Sequence, residues 1–401
     1  MDEAAPLHRT LAASAVVVAL VALHHALVWG SVDAMVARLD HCPRLSCDYI
    51  EHYHVAAARI LVDPLPPDAW FYPPTLALLL HPLTWLGLPW ATWVWTVLVV
   101  VSTAALGLVT PAALRRWQPA SFAPYLLVFL LSHAVHHTYK WGQVSGMLAL
   151  GVLGAAWAAE RDRPWVAGLL LAGVIAVKPF YALFLLPFAA RRQGVAVGLA
   201  AAGAFALLVL LPAAVLGVDG TLTWYAGLRD ELGRARWIAE DRNSHHVAHV
   251  LWRWVGTDPR SPGVHVVGAL GGVGLLGAAW WSARRVPEHA LLWSTALVCT
   301  AVPFLATTSW PHYFVWLPCC FLLAWDALRG RPGPARLPGL VLVVVGAFAG
   351  SVLAFDLAGS WEAHGEAGLP FVASVCAAGA LLLALWGEAR AGWPAAGSGS
   401  A

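Results

Sequence analysis

A chain of 401 residues that is 60% hydrophobic and only 11% charged, with a mean hydropathy of +0.68, cannot cover itself as a water-soluble domain, where roughly 25% of residues carry charge. A formal net charge of +2 is too weak to attract nucleic acid. The 23 tryptophans suit helix ends at a lipid interface, where an amphipathic ring is favoured.

In chain order, the first apolar run extends from about Leu11 to Trp29 behind His8-Arg9. It resembles a signal peptide, but no small-residue cleavage site ends it and many more runs follow, so it reads as an uncleaved transmembrane helix. A hydrocarbon core about 30 Å thick takes about 20 helical residues. On that ruler further runs fall at 73–110, 120–135, 143–159, 165–177, 180–190, 195–216, 262–282, 289–305, 313–328, 337–357 and 370–387. The expectation is an all-α polytopic bundle of about 12 helices, forming a single membrane domain over 1–401.

Lys and Arg in short loops are retained in the cytoplasm. Arg115-Arg116, Arg161 with Arg163, Arg191-Arg192, Arg284-Arg285, and Arg329 with Arg331 and Arg336 therefore set the orientation. Both termini fall inside, and 31–72, 136–142, the Lys178-Pro179 turn, 217–261, 306–312 and 358–369 fall outside. The charge rule needs an odd number of crossings in 73–110, which implies a re-entrant segment from Pro73 to Pro89 and then one full span. The stretch 165–190 is short for two spans, which sets the Lys178 turn below the outer surface.

Two outer loops concentrate the scarce polar residues. The first, 31–72, carries Asp40, Asp48, Glu51, His52, Tyr53, His54, Asp63 and Asp68, with an amphipathic stretch from about Asp48 to Leu61. The second, 217–261, carries Trp224, Arg229, Arg234, Arg236, Arg242, Asn243, Ser244, His245, His246, His249 and Arg253. Such a concentration points to a polar site on the outer face.

Soluble-enzyme motifs are nearly absent. Gly272, Gly274 and Gly277 fit G-x-G-x-x-G, but inside an apolar run, so they read as helix-packing residues, as do Gly142/Gly146 and Gly346/Gly350. There is no P-loop, no zinc-protease motif and no Asp-x-Asp pair to hold a metal on a nucleotide-sugar, which argues against a nucleotide donor. His52/His54, His133/His136/His137 and His245/His246/His249 lack a partner set of defined spacing and read as interfacial or hydrogen-bonding histidines, with no metal assigned. Cys299, Cys319, Cys320 and Cys376 read as packing residues, whereas Cys42 and Cys47 lie in an outer loop where a disulfide is permitted.

Lys178 is one of only two lysines, with Lys140. A cation at the outer leaflet is costly unless it is paired, snorkels, or holds an anion such as a lipid phosphate. Asp48 has two readings: a base for a hydroxyl at the mouth of a bundle, or an N-cap for the helix that follows.

The order Asp48-Tyr49, Tyr53, Ala56-Ala57, Phe71-Tyr72-Pro73-Pro74, Gly142-Gln143-Val144-Ser145, Lys178-Pro179, Asn243-Ser244 and Pro311-His312-Tyr313 resembles the polyprenol-phosphate-sugar glycosyltransferases of the GT-C superfamily, specifically glycosyltransferase family 87. That family includes mycobacterial α-1,2-mannosyltransferases. The resemblance implies transfer of a sugar, usually mannose, from a polyprenyl phosphate to a lipid or glycan acceptor outside a bacterial inner membrane, with inversion and without a cofactor. It implies Asp48 as general base, Lys178 and His312 on the donor phosphate, and Tyr72, Gln143 and Asn243 on sugar or phosphate. The first loop departs from the family pattern at Glu51, His52, His54 and the Cys42/Cys47 pair, and acceptor identity is where such members differ most. A transporter or lipid exporter is the rival class, though no repeat links the two halves.

Overall fold

Leucine, alanine and valine in long uninterrupted runs favour helix, and in an apolar solvent helix is the form that satisfies its own backbone. The computed structural model describes residues 4–39, 42, 44–114, 119–234, 238, 240–330 and 333–391, which are helical throughout with a single isolated bridge, Ser132 to Ser351. The anchors Arg115, Arg116 and Arg331, with Asp40 and Arg236, lie outside the described residues. Among the described residues, five helices are long and apolar enough to cross a membrane: His8–Val28, Leu88–Ala113, Gly194–Arg234, Pro262–Arg285 and Leu369–Gly387. Shorter apolar helices of 10–17 residues accompany them. Large apolar side chains stand exposed along these helices, among them Leu27, Leu270 and Leu337, which in a soluble protein would be an aggregation surface and in a bilayer is the lipid face. The chain is an integral membrane protein.

Contacts gather the chain into two compact units. One comprises 1–41, 107–136 and 242–401; the other comprises 42–106 and 137–241. In the first, Pro262–Arg285 packs along Ala290–Leu305, and Arg336–Ala349 along Leu369–Ala391. Gly268, Gly271 and Gly272 allow the first of these approaches, since a Cβ on any of them would meet Phe304 or Leu305. Gly274 and Gly277 face open space, so only Gly272 of the fingerprint triplet packs as expected. Gly346 and Gly350 sit against Cys376 and Ala373.

In the second unit Pro164–Val177 packs on Gly194–Phe205 and on Ser145–Ala159. Gly168 lies against Ala196 and Leu199, and Gly146 against Thr103. The 73–110 stretch divides into a short helix Pro74–Leu80, a 3-10 turn His81–Leu86 and one 26-residue helix, Leu88–Ala113. Exposed Trp85, Trp90 and Trp93 gather at that junction, as an interfacial belt requires.

Four sequence segments need correction. The segments 136–142 and 358–369, read as outer loops, hold the helices His133–Trp141 and Trp361–Glu366. The run ending at 216 does not stop there: it breaks at Gly217, whose φ of 75° no helix tolerates, and continues to Arg234. The run 337–357 breaks into Arg336–Ala349 and Val352–Ala358. The physical reason lies in a second break, between Pro119–Leu130 and His133–Trp141. His133 N–H donates to the Gly350 carbonyl (2.9 Å) and Val352 N–H to the Leu131 carbonyl (2.7 Å), so each interruption satisfies the backbone groups the other frees.

Candidate functional site

The second unit assembles a polar cluster from four chain segments, each ended by a specific turn. The helix His133–Trp141 closes with Gly142 in a left-handed conformation, φ 65°. Gly142 N–H donates to the Tyr139 carbonyl (3.2 Å) and Gln143 N–H to the Thr138 carbonyl (3.0 Å), the paired bonds of a Schellman cap. That cap fixes where Gln143 emerges. The Trp95 indole N–H, donating to the Gly142 carbonyl at 2.7 Å, anchors the turn.

Against this turn lies the loop before Asp48. A Cβ on Gly142 would fall 2.9 Å from the Ser46 Cα, so the approach depends on glycine. Ser46 pairs its hydroxyl with that of Thr96 at 2.7 Å, and a Cys42–Cys47 disulfide closes the loop. Asp48 follows with helical dihedrals (φ −61°, ψ −32°), leading into a π-helical turn Tyr49–Tyr53 and the helix His54–Arg59. The N-cap reading of Asp48 fails, because its side chain makes no cap hydrogen bond. Instead Oδ2 accepts from the Gln143 amide.

Trp70-Phe71-Tyr72-Pro73-Pro74 enters from the other side. Pro73 is extended and Pro74 occupies the first helical turn, where its missing N–H costs nothing. The Tyr72 carbonyl, which precedes proline, accepts from the indoles of Trp70 (2.5 Å) and Trp224 (3.4 Å). Upstream, Ala69 holds a left-handed φ of 58°, with its N–H donating to Glu231 at 3.0 Å. The phenol of Tyr72 lies 2.7 Å from that of Tyr53 and 3.1 Å from Gln143 Oε1, while Tyr53 reaches the same oxygen at 2.9 Å. Two phenolic protons therefore orient the Gln143 carbonyl oxygen toward the tyrosines and its NH2 toward Asp48.

Lys178 completes the cluster. A residue before proline is driven out of helical conformation, and Lys178 ends Pro164–Val177 in an extended geometry (φ −134°, ψ 100°). Its ammonium stands 5.0 Å from the centre of the Tyr72 ring, a cation–π arrangement, within electrostatic reach of Asp48. It is buried, which rules out snorkelling. The floor is aromatic: Tyr49 stacks on Trp95 at 5.3 Å, and burial pushes the Tyr49 phenol up to about 12. Burial likewise lowers His52 and His54, keeping both neutral at pH 7.

Asp48, Tyr72, Gln143 and Lys178 thus come together, on a carboxylate–amide–phenol–ammonium path. Such a path can hold a hydroxyl next to a base and an anion next to a cation. Asn243 and His312 belong to the first unit. There His245 N–H donates to the Ser309 carbonyl (2.8 Å), Arg253 donates to the Ser244 carbonyl (2.7 Å), and Ser244 shares a hydrogen bond with His249. Asn243 is half-buried at the start of this segment, and His312 is buried between Trp310 and Tyr313. Among the described residues, the ligand atoms of Cys42, Cys47 and Glu51 gather closely enough for a metal, but both sulfurs are in the disulfide. Sequence reasoning gave Tyr53 no role, although it joins Tyr72 to Gln143; its place in the ordered motifs was the available signal.

The profile of glycosyltransferase family 87 matches residues 70–309, which takes in Tyr72, Gln143, Lys178 and Asn243 and leaves Asp48 and His312 outside. The chain is 30% identical over 294 residues to a polyprenol-phosphate-mannose-dependent alpha-(1-2)-phosphatidylinositol mannoside mannosyltransferase of Mycobacterium tuberculosis, covering 68% of this chain and 66% of that protein. It is 30% identical over 288 residues to the protein of the same name from Mycolicibacterium smegmatis, covering 65% and 62%. A pentamannoside mannosyltransferase of Mycobacterium tuberculosis is 26% identical over 317 residues, covering 74% and 69%. The chain therefore spans just under two thirds of the length of the first two relatives. No solved structure matches it significantly.

Proposed function

The chain belongs to glycosyltransferase family 87, and from that premise we propose that it transfers mannose from a polyprenyl-phosphate donor to a lipid or glycan hydroxyl, on the outer side of a bacterial inner membrane. The observation that supports this most is the pairing of Asp48 and Lys178 on one network of Tyr72, Tyr53 and Gln143. In this reading Asp48 takes the proton of the acceptor hydroxyl as its oxygen attacks the anomeric carbon. The bond to the carrier phosphate breaks, the electron pair leaves with the phosphate, and the configuration inverts. Gln143 holds the carboxylate in orientation, and Lys178 meets the charge that grows on the departing phosphate, where a preorganised cation acts most strongly.

Tyr72, by ring and hydroxyl, borders both the sugar and the phosphate ends. For Asn243 and His312 the proposal rests on the resemblance, which gives them sugar and phosphate contacts respectively. The reading takes 1–401 as one enzyme whose outer loops 31–72 and 217–261 meet its substrates. The phosphatidylinositol mannosides in the relatives' names are the first acceptors to try.

The test supplies purified full-length protein with radiolabelled polyprenyl-phosphate mannose and a membrane lipid extract, then identifies the labelled product. Label on a glycolipid is the expected result. Label released only as free mannose contradicts transfer to an acceptor and favours hydrolysis, whereas no turnover of any prenyl-phosphate sugar contradicts the proposal and favours the exporter.

A further inference from the structure

The second unit holds a buried carboxylate that the reaction does not use. After its break at Gly217, the helix Leu211–Arg234 sets Gly220, Trp224, Gly227 and Glu231 at spacings of four, three and four residues, which puts them on one face. That face lies along the segment leading into Tyr72. Gly220 faces Pro64, and a Cβ on Gly227 would fall 2.7 Å from Pro66, so the close approach there depends on glycine. Trp224 is buried between the two glycines, with its ring 6.2 Å from that of Trp70 and its indole N–H 3.4 Å from the Tyr72 carbonyl. Glu231 ends the stripe, buried, with Oε1 accepting from the Ala69 N–H at 3.0 Å and Oε2 from Arg234 at 2.9 Å.

What Glu231 holds is a strained turn. The Trp70 N–H donates to the Pro67 carbonyl at 3.2 Å, closing a four-residue turn whose third residue, Ala69, has a φ of 58°. A positive φ at that position normally belongs to glycine, so alanine keeps it only where the surroundings enforce it. Enforcement comes from two sides: Glu231 accepts the Ala69 N–H, and His52 bonds the Asp68 backbone. The turn delivers Trp70, whose indole N–H donates to the Tyr72 carbonyl at 2.5 Å and whose ring lies 5.2 Å from the Tyr72 ring. It thereby sets the direction from which the Tyr72 phenol meets Gln143 and the Tyr72 ring meets Lys178. The charge of Glu231 has little part in this, because its partner Arg234 is exposed and their attraction is screened.

We propose, on the transfer reading given above, that Glu231 is a positioning residue: by accepting the Ala69 N–H it holds the 67–70 turn in the form that presents Tyr72 to Gln143 and Lys178. The role calls for an acceptor oxygen and not for a negative charge. Glu231→Gln keeps such an oxygen, and Arg234 can turn to water. Glu231→Ala removes it and leaves a strained residue without its tether.

Full-length Glu231→Ala and Glu231→Gln in lipid nanodiscs are compared with wild type in two ways. One is amide hydrogen exchange of the peptide containing Ala69–Tyr72, and the other is mannose transfer from polyprenyl-phosphate mannose to a membrane lipid extract. In Glu231→Ala the peptide is expected to exchange at least about tenfold faster, and kcat to fall about tenfold with the donor KM within about threefold of wild type. Glu231→Gln is expected to stay within about threefold of wild type in both. Because Glu231 acts through Tyr72, the cost of Glu231→Ala should shrink to under about threefold in a Tyr72→Phe background.

Equal exchange in Glu231→Ala and wild type overturns the positioning role whether or not mannose is transferred, whereas a wild type that transfers no mannose defeats the transfer reading by itself. Faster exchange with kcat unchanged, a Glu231→Gln variant as impaired as Glu231→Ala, or an equal cost in the two Tyr72 backgrounds also overturns the proposal. Should Glu231→Ala fail to fold, adding Ala69→Gly, which relieves the strain at a φ of 58°, is expected to restore folding, and a failure to do so overturns the proposal as well.

Discussion

Both units bury polar groups in an apolar chain, but they do so with different chemistry. The second unit sets opposite charges, Asp48 and Lys178, on a framework of phenols and one amide that do not titrate near neutral pH. The first unit relies on imidazoles: His24, His25 and His136 in one place, and Ser244 with His249 in another. The contrast separates two uses of a buried polar residue. A carboxylate and an ammonium held on a rigid framework suit a reaction in which charge must develop at a set position, although burial lowers Lys178 to about 7 and Asp48 opposes that shift, whereas the imidazoles of the first unit carry no such opposite charge pair on a phenol–amide framework.

The largest effect should come from removing the base. Asp48→Asn keeps the contact with Gln143 but cannot take a proton, and should cut turnover by about 10²–10⁴-fold in the labelled-mannose assay. Replacing the cation tests the other pole: Lys178→Gln should cost about 10²–10³-fold in kcat, with a smaller change in apparent donor affinity, because the charge it meets is greatest in the transition state. If Lys178→Gln instead raises KM alone, the cluster binds the donor without assisting departure.

Gly142→Ala asks how far the framework depends on one turn. Alanine at φ 65°, pressed on Ser46, should cost about 1–2 kcal/mol of stability and displace Asp48 from Gln143, seen as a lower melting temperature together with reduced transfer. Tyr53→Phe leaves Tyr72 to hold Gln143, so about 1 kcal/mol of orientation is lost and transfer falls several-fold without a change in melting temperature beyond a few degrees.

The smallest effect distinguishes the imidazole-rich unit. Burial lowers His246 to about 4 and His249 to about 3, below the value of about 6.5 in an unfolded chain. The folded form then binds fewer protons than the unfolded form, so the stability these two contribute is complete above pH 6.5 and declines as the pH falls toward 4. Melting temperature followed from pH 7.5 to 4.5 should drop in the wild type, and drop less in the His246→Gln/His249→Gln double variant.

The membrane character and most of the helices were legible in sequence because apolar runs in lipid have few alternatives to helix. Lys178 and its proline were legible for a similar local reason, since the residue before proline leaves the helix. Helix ends were less legible wherever polarity, not backbone geometry, was the cue: 136–142 and 217–234 are polar enough to read as loops yet remain helical. The role of Asp48 was ambiguous because its partner, Gln143, is 95 residues away, and only the Schellman cap at Gly142 brings the two together. The breaks at Leu131 and Gly350 were invisible for the same reason, because each is stable only in the presence of the other.

The central claim assigns Asp48 to chemistry and not to holding the donor. Measuring both donor binding and single-turnover mannose transfer on one preparation of Asp48→Asn in nanodiscs tests it most directly. Binding of polyprenyl-phosphate mannose within about twofold of wild type, with transfer reduced at least about 100-fold, is the predicted result. Transfer at the wild-type rate would contradict the account.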